Sequence, residues 1–304
     1  MRLSTLLILA LAAIAGAVRA APPATGAPYV LEGAQVFTLH ATALDRDYEI
    51  DVSLPPSYGQ DASRRYPVVF VTDAPYAFPV TRAIEGRIAL HSKSLPEFIL
   101  VGLGYAKGDT AEYSRRRDYT PTPHGSDDAR SDMPGRPVVF GQAEGYRRFI
   151  ADQVFPFVAA NFRADMGRKV FAGHSYGGLL GAWILLSSPA MFDGYVLGSP
   201  SLWFDDDVTR TREREYAAAH RDLRARVYVG AGEFESFAPR GHAGDRRYNT
   251  DVDLVADAQA FSRALAARHY PGLRLRTDVI AGEDHLSVAP TLITRGLLWT
   301  LGNQ

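Results

Sequence analysis

Apolar positions along the chain fall into two patterns. Continuous apolar runs occur at Pro67–Thr72, Phe98–Leu103, Lys169–Ala172 and Gly194–Leu197, with further strand-like runs at Arg224–Gly230 and Leu273–Ile280. The first four lack the alternation of a half-exposed strand, which predicts strands covered on both faces. Two earlier runs, Gln35–His40 and Tyr48–Leu54, precede them; the second alternates as Tyr-Glu-Ile-Asp-Val and ends in the turn Pro55-Pro56-Ser57-Tyr58-Gly59. Helical spacing fills the gaps. Leu254, Ala258, Phe261 and Leu265 form one apolar stripe, predicting a helix over 251–268. Ala143–Phe162, Tyr176–Leu186 and Thr291–Trp299 read the same way, the first kinked or split by Pro156. The expectation is an α/β fold: a mostly parallel central sheet with helices on both faces and an antiparallel start. Tyr105–Phe140 is the exception. It is rich in Arg, Pro, Asp and Gly, has no periodicity, and reads as a long functional loop.

The first residues change the domain count. Arg2 precedes the mainly apolar stretch Leu3–Val18, and Val18-Arg19-Ala20 offers a cleavage site after Ala20. Residues 1–20 therefore read as a signal peptide, 21–28 as a flexible lead and 29–304 as one domain. A periplasmic or secreted location follows, with no membrane association after cleavage. Composition narrows the chemistry. The chain has 304 residues, 33 Lys+Arg, 34 Asp+Glu and no cysteine. Losing Arg2 and Arg19 with the leader leaves 31 basic against 34 acidic residues, a net charge of −3. That balance gives no footprint for nucleic acid. The lack of cysteine excludes disulfides, thiolate metal sites and a cysteine nucleophile.

Gly173-His174-Ser175-Tyr176-Gly177 matches G-x-S-x-G between a strand-like run and a helical one. This strand–turn–helix frame places a serine nucleophile in a sharp turn, with small neighbours so that strand and helix can close. A serine hydroxyl needs a positioned base. Of eight histidines, His285 follows the last strand in Ala281-Gly282-Glu283-Asp284-His285, at the sheet edge where open α/β folds bind ligands. His174, inside the motif, is expected to pack beside the turn. The acid that orients the imidazole should follow Arg224–Gly230. Glu235 and Glu233 both fit, with Glu235 preferred; Asp257, or no acid at all, completes the possibilities. The oxyanion hole should combine the Tyr176 N–H with that of Ala74 or Asp73, after the early strand.

These pieces resemble the esterase D-type branch of the α/β-hydrolases, closest to the periplasmic enterobactin and salmochelin esterase-like group. The resemblance rests on Tyr66–Asp73, Arg115-Arg116-Arg117-Asp118-Tyr119-Thr120-Pro121-Thr122 and Gly173–Leu179. Ser199-Pro200-Ser201-Leu202-Trp203-Phe204, Gly232–Glu235 and Gly282–His285 complete it. It implies an α/β-hydrolase fold and serine carboxylic-ester hydrolysis through an acyl-enzyme on Ser175. No metal or cofactor is implied, and the partner is a small-molecule ester such as a catecholate siderophore. Some members rely on a Ser–His pair without a strong acid. Feruloyl, acetyl-xylan or broad carboxylesterase activity is the alternative, ahead of acyl transfer or ligand binding without catalysis. Arg115, Arg116, Arg117 and Tyr119 are candidates to meet an anionic or aromatic ligand, and Trp203 to wall the acyl pocket. Asp205-Asp206-Asp207 reads as a solvated helix start. Oligomeric state has no signal in the sequence.

Overall fold

The computed structural model describes residues 26–302, apart from 93, 126–128 and 243. The expected signal peptide and most of the flexible lead lie outside the described residues. Residues 26–32 have no regular secondary structure. All strands and helices belong to one compact unit, Gly33–Gln304.

Among the described residues, eight strands form one sheet: β1 (Ala34–Ala41), β2 (Arg46–Ser53), β3 (Tyr66–Thr72), β4 (Ile99–Ala106), β5 (Ala164–His174), β6 (Gly194–Gly198), β7 (Ala225–Gly232) and β8 (Leu273–Ile280). Their order is β1-β2-β4-β3-β5-β6-β7-β8. β1, β2 and β4 pair antiparallel, and every pair from β4 to β8 is parallel. The strand order reverses between β3 and β5, a switch point that opens a crevice at the strands' C-terminal ends. The continuous apolar runs are explained by where their side chains go. Val68 and Phe70 join one core cluster, while Val69 and Val71 join the other on the opposite face.

Among the described residues, eight α-helices cover the sheet: α1 (Ala74–His91), α2 (Ala111–Tyr119), α3 (Ala143–Phe149), α4 (Phe155–Asn161), α5 (Tyr176–Ser187), α6 (Phe204–Ala219), α7 (Leu254–Ala267) and α8 (Ala289–Thr300). α3 and α4 are the expected split helix, joined through a π-helical turn at Ile150–Val154 just before Pro156.

Three helices escape the hydrophobic pattern. α1 contains Pro75 and Pro79, which read as breakers. α6 buries Phe204, Thr209, Glu213 and Tyr216, so half of its inner face is polar. Glu213 is satisfied there by a bidentate pair with Arg268 at 2.8 and 2.9 Å. α2 lies inside the segment expected to be a loop, capped by the Thr110 side chain on the Tyr113 N–H. The three aspartates are also more than a solvated helix start. Asp205, Asp206 and Asp207 all have positive φ, and Asp205 accepts a hydrogen bond from Thr122 at 2.5 Å. That bond ties the end of the α2 segment to α6.

α2 is fixed by a buried ionic cluster. Arg117, 1% exposed, donates to Asp109 at 2.6 Å and to both Asp118 oxygens at 2.8 Å. Tyr48 of β2 donates to Asp118 at 2.9 Å. Every strong charge here has a partner, as burial requires.

Glu85 of α1 is a different case. One oxygen accepts the Phe98 N–H at 3.3 Å, and the other is buried without a partner. Burial pushes its carboxyl from 4.5 up to about 8. The unfolded chain releases this proton near 4.5, while the folded chain keeps it to about 8. Stability therefore falls as pH rises through that window. Glu85→Gln should flatten this slope in urea titrations between pH 5 and 8; an unchanged slope would show that Glu85 does not carry it.

Candidate active site

Ser175 sits between β5 and α5 with φ 59° and ψ −120°, a backbone region costing an L-residue about 1–3 kcal/mol. The turn is held on both sides. The Ser175 N–H donates to Gly198 O at 2.9 Å, and its carbonyl accepts from Leu179 at 2.9 Å and Ser201 at 3.2 Å. Two glycines make the closure possible. A Cβ on Gly173 would lie 2.3 Å from Gly177 O, and one on Gly177 would lie 2.3 Å from Thr72 Oγ1.

The Ser175 hydroxyl faces Ser201 Oγ at 3.4 Å. No hydrogen bond joins it to His285 in this form. Catalytic hydrogen bonds often tighten only when substrate is bound. His285, on the turn after β8, has its ring 4.5 Å from that of His174, the residue preceding Ser175. His285 Nδ1 lies 2.7 Å from Glu235 Oε2.

Glu235 is 1% exposed at the end of β7. Its other oxygen accepts from Ser199 Oγ at 2.6 Å and from the Gly232 N–H at 2.7 Å. The two glutamates left open by the sequence thus separate. Glu235 touches the imidazole. Glu233 accepts the Gly282 N–H at 2.8 Å and steadies the turn that carries His285. Asp257 lies in α7 and lines a separate hollow with Asp207 and Glu213.

Tyr176 and Ala74 open α5 and α1, directly after the neighbouring parallel strands β5 and β3. Their N–H groups belong to first helical turns and have no partner within the helix. Asp73 is the αL residue between β3 and α1, at φ 58° and ψ 47°. Its own N–H points to Tyr119 Oη at 3.5 Å, which leaves Ala74 the better-placed donor of the expected pair. The Asp73 carboxyl is buried and its acidity is pushed down by that burial, with Arg115 opposing the shift. Arg115 Nε lies 2.9 Å from Asp73 Oδ1, which also accepts from Tyr105 at 2.8 Å. These cationic and hydroxyl partners compensate the buried Asp73 carboxyl.

The arginine cluster divides three ways. Arg115 lines a cavity of about 400 Å³ with Tyr76, Tyr105, Glu112, His174 and Leu286. Arg116 turns to Glu112 and to the Arg130 carbonyl. Arg117 is not available to a ligand, because its guanidinium is consumed by Asp109 and Asp118. Tyr119 is likewise fully buried, and its hydroxyl serves the Asp73 loop. Trp203 is 36% exposed, with its ring 6.3 Å from Tyr176, so it forms an open aromatic shelf rather than core. Phe204 backs that shelf, 6.1 Å from Tyr176 and 5.8 Å from Phe140.

Two residues had no role assigned from sequence, Ser199 on the acid and Ser201 on the serine; His174, expected to pack beside the turn, also walls the cavity. Ser199 has positive φ (39°), a constraint with no sequence signature beyond the Pro200 that follows. Burial, with His285 and Arg115 nearby, pulls the His174 imidazole down to about 3. It is neutral at any ordinary pH.

A strained serine at a β5–α5 turn, and a His–Glu pair after β8 and β7, define an α/β-hydrolase. Comparison agrees. Residues 41–271 match the family model described as "Putative esterase". The chain belongs to that family and is a carboxylic-ester hydrolase. Among curated proteins it is 29% identical to the ferri-bacillibactin esterase BesA of Bacillus subtilis, across 91% of this chain and 92% of that protein. It is also 29% identical to a siderophore enterobactin esterase of Emericella nidulans, across 84% and 89%. The solved structure of the BES protein from Bacillus cereus superposes with a TM-score of 0.75 at 23% identity, covering 91% of this chain and 99% of that one. The siderophore hydrolase EstA from Aspergillus nidulans gives 0.70 at 23% identity, over 90% and 98%.

Glu235→Gln should lower kcat by about 10²-fold or more, because the amide leaves the imidazole misoriented and its charged form unsupported. Glu233→Gln should cost less than about tenfold, since it loosens only a turn. Equal losses in steady-state assays of the two variants would contradict the assignment.

Proposed function

We propose that this esterase hydrolyses siderophore-type esters through an acyl-enzyme on Ser175. His285 takes the hydroxyl proton as Ser175 attacks the ester carbonyl, then returns it to the leaving alcohol. Glu235 holds the imidazole in the tautomer that leaves the far nitrogen free to act. The Tyr176 and Ala74 N–H groups receive the oxyanion. Water, activated by the same histidine, releases the acid. The observation that carries this reading is the 2.7 Å contact between His285 and the buried Glu235 beside the strained serine turn.

The substrate class draws on other support. Curated relatives matched over most of their length are named as esterases of bacillibactin, enterobactin and triacetylfusarinine C siderophores. The exposed Trp203–Tyr176 shelf suits an aromatic acyl group, and Arg115 at the cavity wall suits an anionic or phenolic one. The leader-like residues 1–20 support export to the periplasm or medium. A mature N-terminus beginning at Ala21 is the expected product, and an intact Met1 on exported protein would argue against it.

Purified mature protein should open catecholate trilactones, apo or ferric, with kcat/KM at least about tenfold above feruloyl-sugar and acetyl-xylan esters, products being read by mass spectrometry. Ser175→Ala should abolish p-nitrophenyl ester turnover while the fold persists. Preference for feruloyl or acetyl esters would overturn the substrate, and undiminished turnover in Ser175→Ala would overturn the nucleophile.

A further inference from the structure

The segment that follows β6, Ser199-Pro200-Ser201, is pressed against the first turn of α5. A Cβ on Gly178 would lie 2.9 Å from both the Gly198 carbonyl oxygen and Pro200 Cα. Two backbone bonds tie this segment to the nucleophile's turn. The Ser175 N–H donates to Gly198 O at 2.9 Å, and the Ser201 N–H donates to Ser175 O at 3.2 Å. The Ser201 carbonyl in turn accepts the Phe204 N–H at 3.2 Å, at the start of α6. Ser201 is therefore held from both sides, and it is buried, 3% exposed. Among the described residues its hydroxyl has one hydrogen-bonding neighbour, Ser175 Oγ at 3.4 Å. A hydroxyl carries one donor and can also accept. At rest either serine can donate to the other. That symmetry ends when Ser175 is acylated, because its Oγ then has no proton to give and Ser201 is the donor of the pair.

We propose that Ser201 is a further catalytic residue, whose hydroxyl donates to Ser175 Oγ as the acyl-enzyme breaks down. In that step water attacks the acyl carbon and gives a proton to His285. The bond between the acyl carbon and Oγ then breaks, its electron pair returns to Oγ, and the proton on His285 passes to Oγ. The acid leaves with the water oxygen, and Ser201 keeps its own proton throughout. Negative charge builds on Oγ while the bond breaks, so a donor fixed beside that atom binds more tightly in the transition state than in the ester. Acylation gains less. The two serines already share a hydrogen bond in the resting enzyme, so removing it costs ground state and transition state together. Ser201 thus favours turnover of the acyl-enzyme over its formation. The inference rests on Ser175 as the nucleophile.

Rapid mixing with p-nitrophenyl butyrate separates the two steps. Release of p-nitrophenolate reads acylation. Mass spectrometry of acid-quenched samples, with peptide mapping, reads the decay of the butyryl adduct. Ser201→Ala keeps both backbone bonds and removes only the hydroxyl. Its adduct should decay at least about tenfold more slowly than the wild-type adduct, while the acylation rate changes by less than about twofold. Ser201→Thr keeps a hydroxyl and should hold the decay within about threefold of the wild type. Ser201→Cys, a weaker donor of similar shape, should fall between wild type and the Ala variant and serves where the Thr variant does not fold. The proposal is overturned by an Ala adduct that decays at the wild-type rate. It is equally overturned by a variant that slows both steps alike, the result of a role confined to the shape of the turn. Failure of the underlying reading looks different: no butyryl adduct would map to Ser175 in the wild type or in any variant.

Discussion

The site depends on one buried carboxylate. Glu235 accepts a hydroxyl from Ser199 after β6, a backbone N–H from Gly232 at the end of β7, and the imidazole of His285 after β8. Three strand ends therefore meet on one side chain. A carboxylate without such donors would not survive burial, and removing one partner of a buried pair typically costs about 3–5 kcal/mol. The same three contacts set the position of His285, whose turn has its second anchor in Glu233 through Gly282.

Serine placement follows from a second constraint, the crowding of β3, β5 and α5. Gly173 and Gly177 let strand and helix close around Ser175, at the cost of a strained backbone. Because the sheet order reverses between β3 and β5, the first residues of α1 and α5 lie side by side. Asp73, held by Arg115, Tyr105 and Tyr119, shapes the α1 side of that crevice. One side chain serves both features: Arg115 pairs with Asp73 and also walls the cavity.

The central parallel strands were legible because burial on both faces leaves an unmistakable apolar run, and the Ser175 turn because it follows one; His285 and the Glu233/Glu235 pair were reached only as residues that follow the later strand-like runs. α6 was not legible, since its inner face carries Thr209 and Glu213, whose burial depends on Arg268 from a distant helix. α1 was hidden by two prolines. The role of Arg117 was misread for a related reason. A run of three arginines looks like a ligand cluster in one dimension, but helical geometry sends Arg115 to the cavity and Arg117 into the core. Ser199 and Ser201 stand in a segment that carries the resemblance, but their contacts to Glu235 and Ser175 are made in three dimensions and were not legible. Glu235 and Glu233, two residues apart, could be separated only by seeing which one faces the imidazole.

The central claim is that the serine at this turn is activated by the histidine held on Glu235. Covalent trapping with a fluorophosphonate, followed by peptide mapping, addresses it most directly. The account predicts a single adduct on Ser175, formed at a rate that collapses in His285→Ala. An adduct on another residue, or labelling at the wild-type rate without His285, would contradict it.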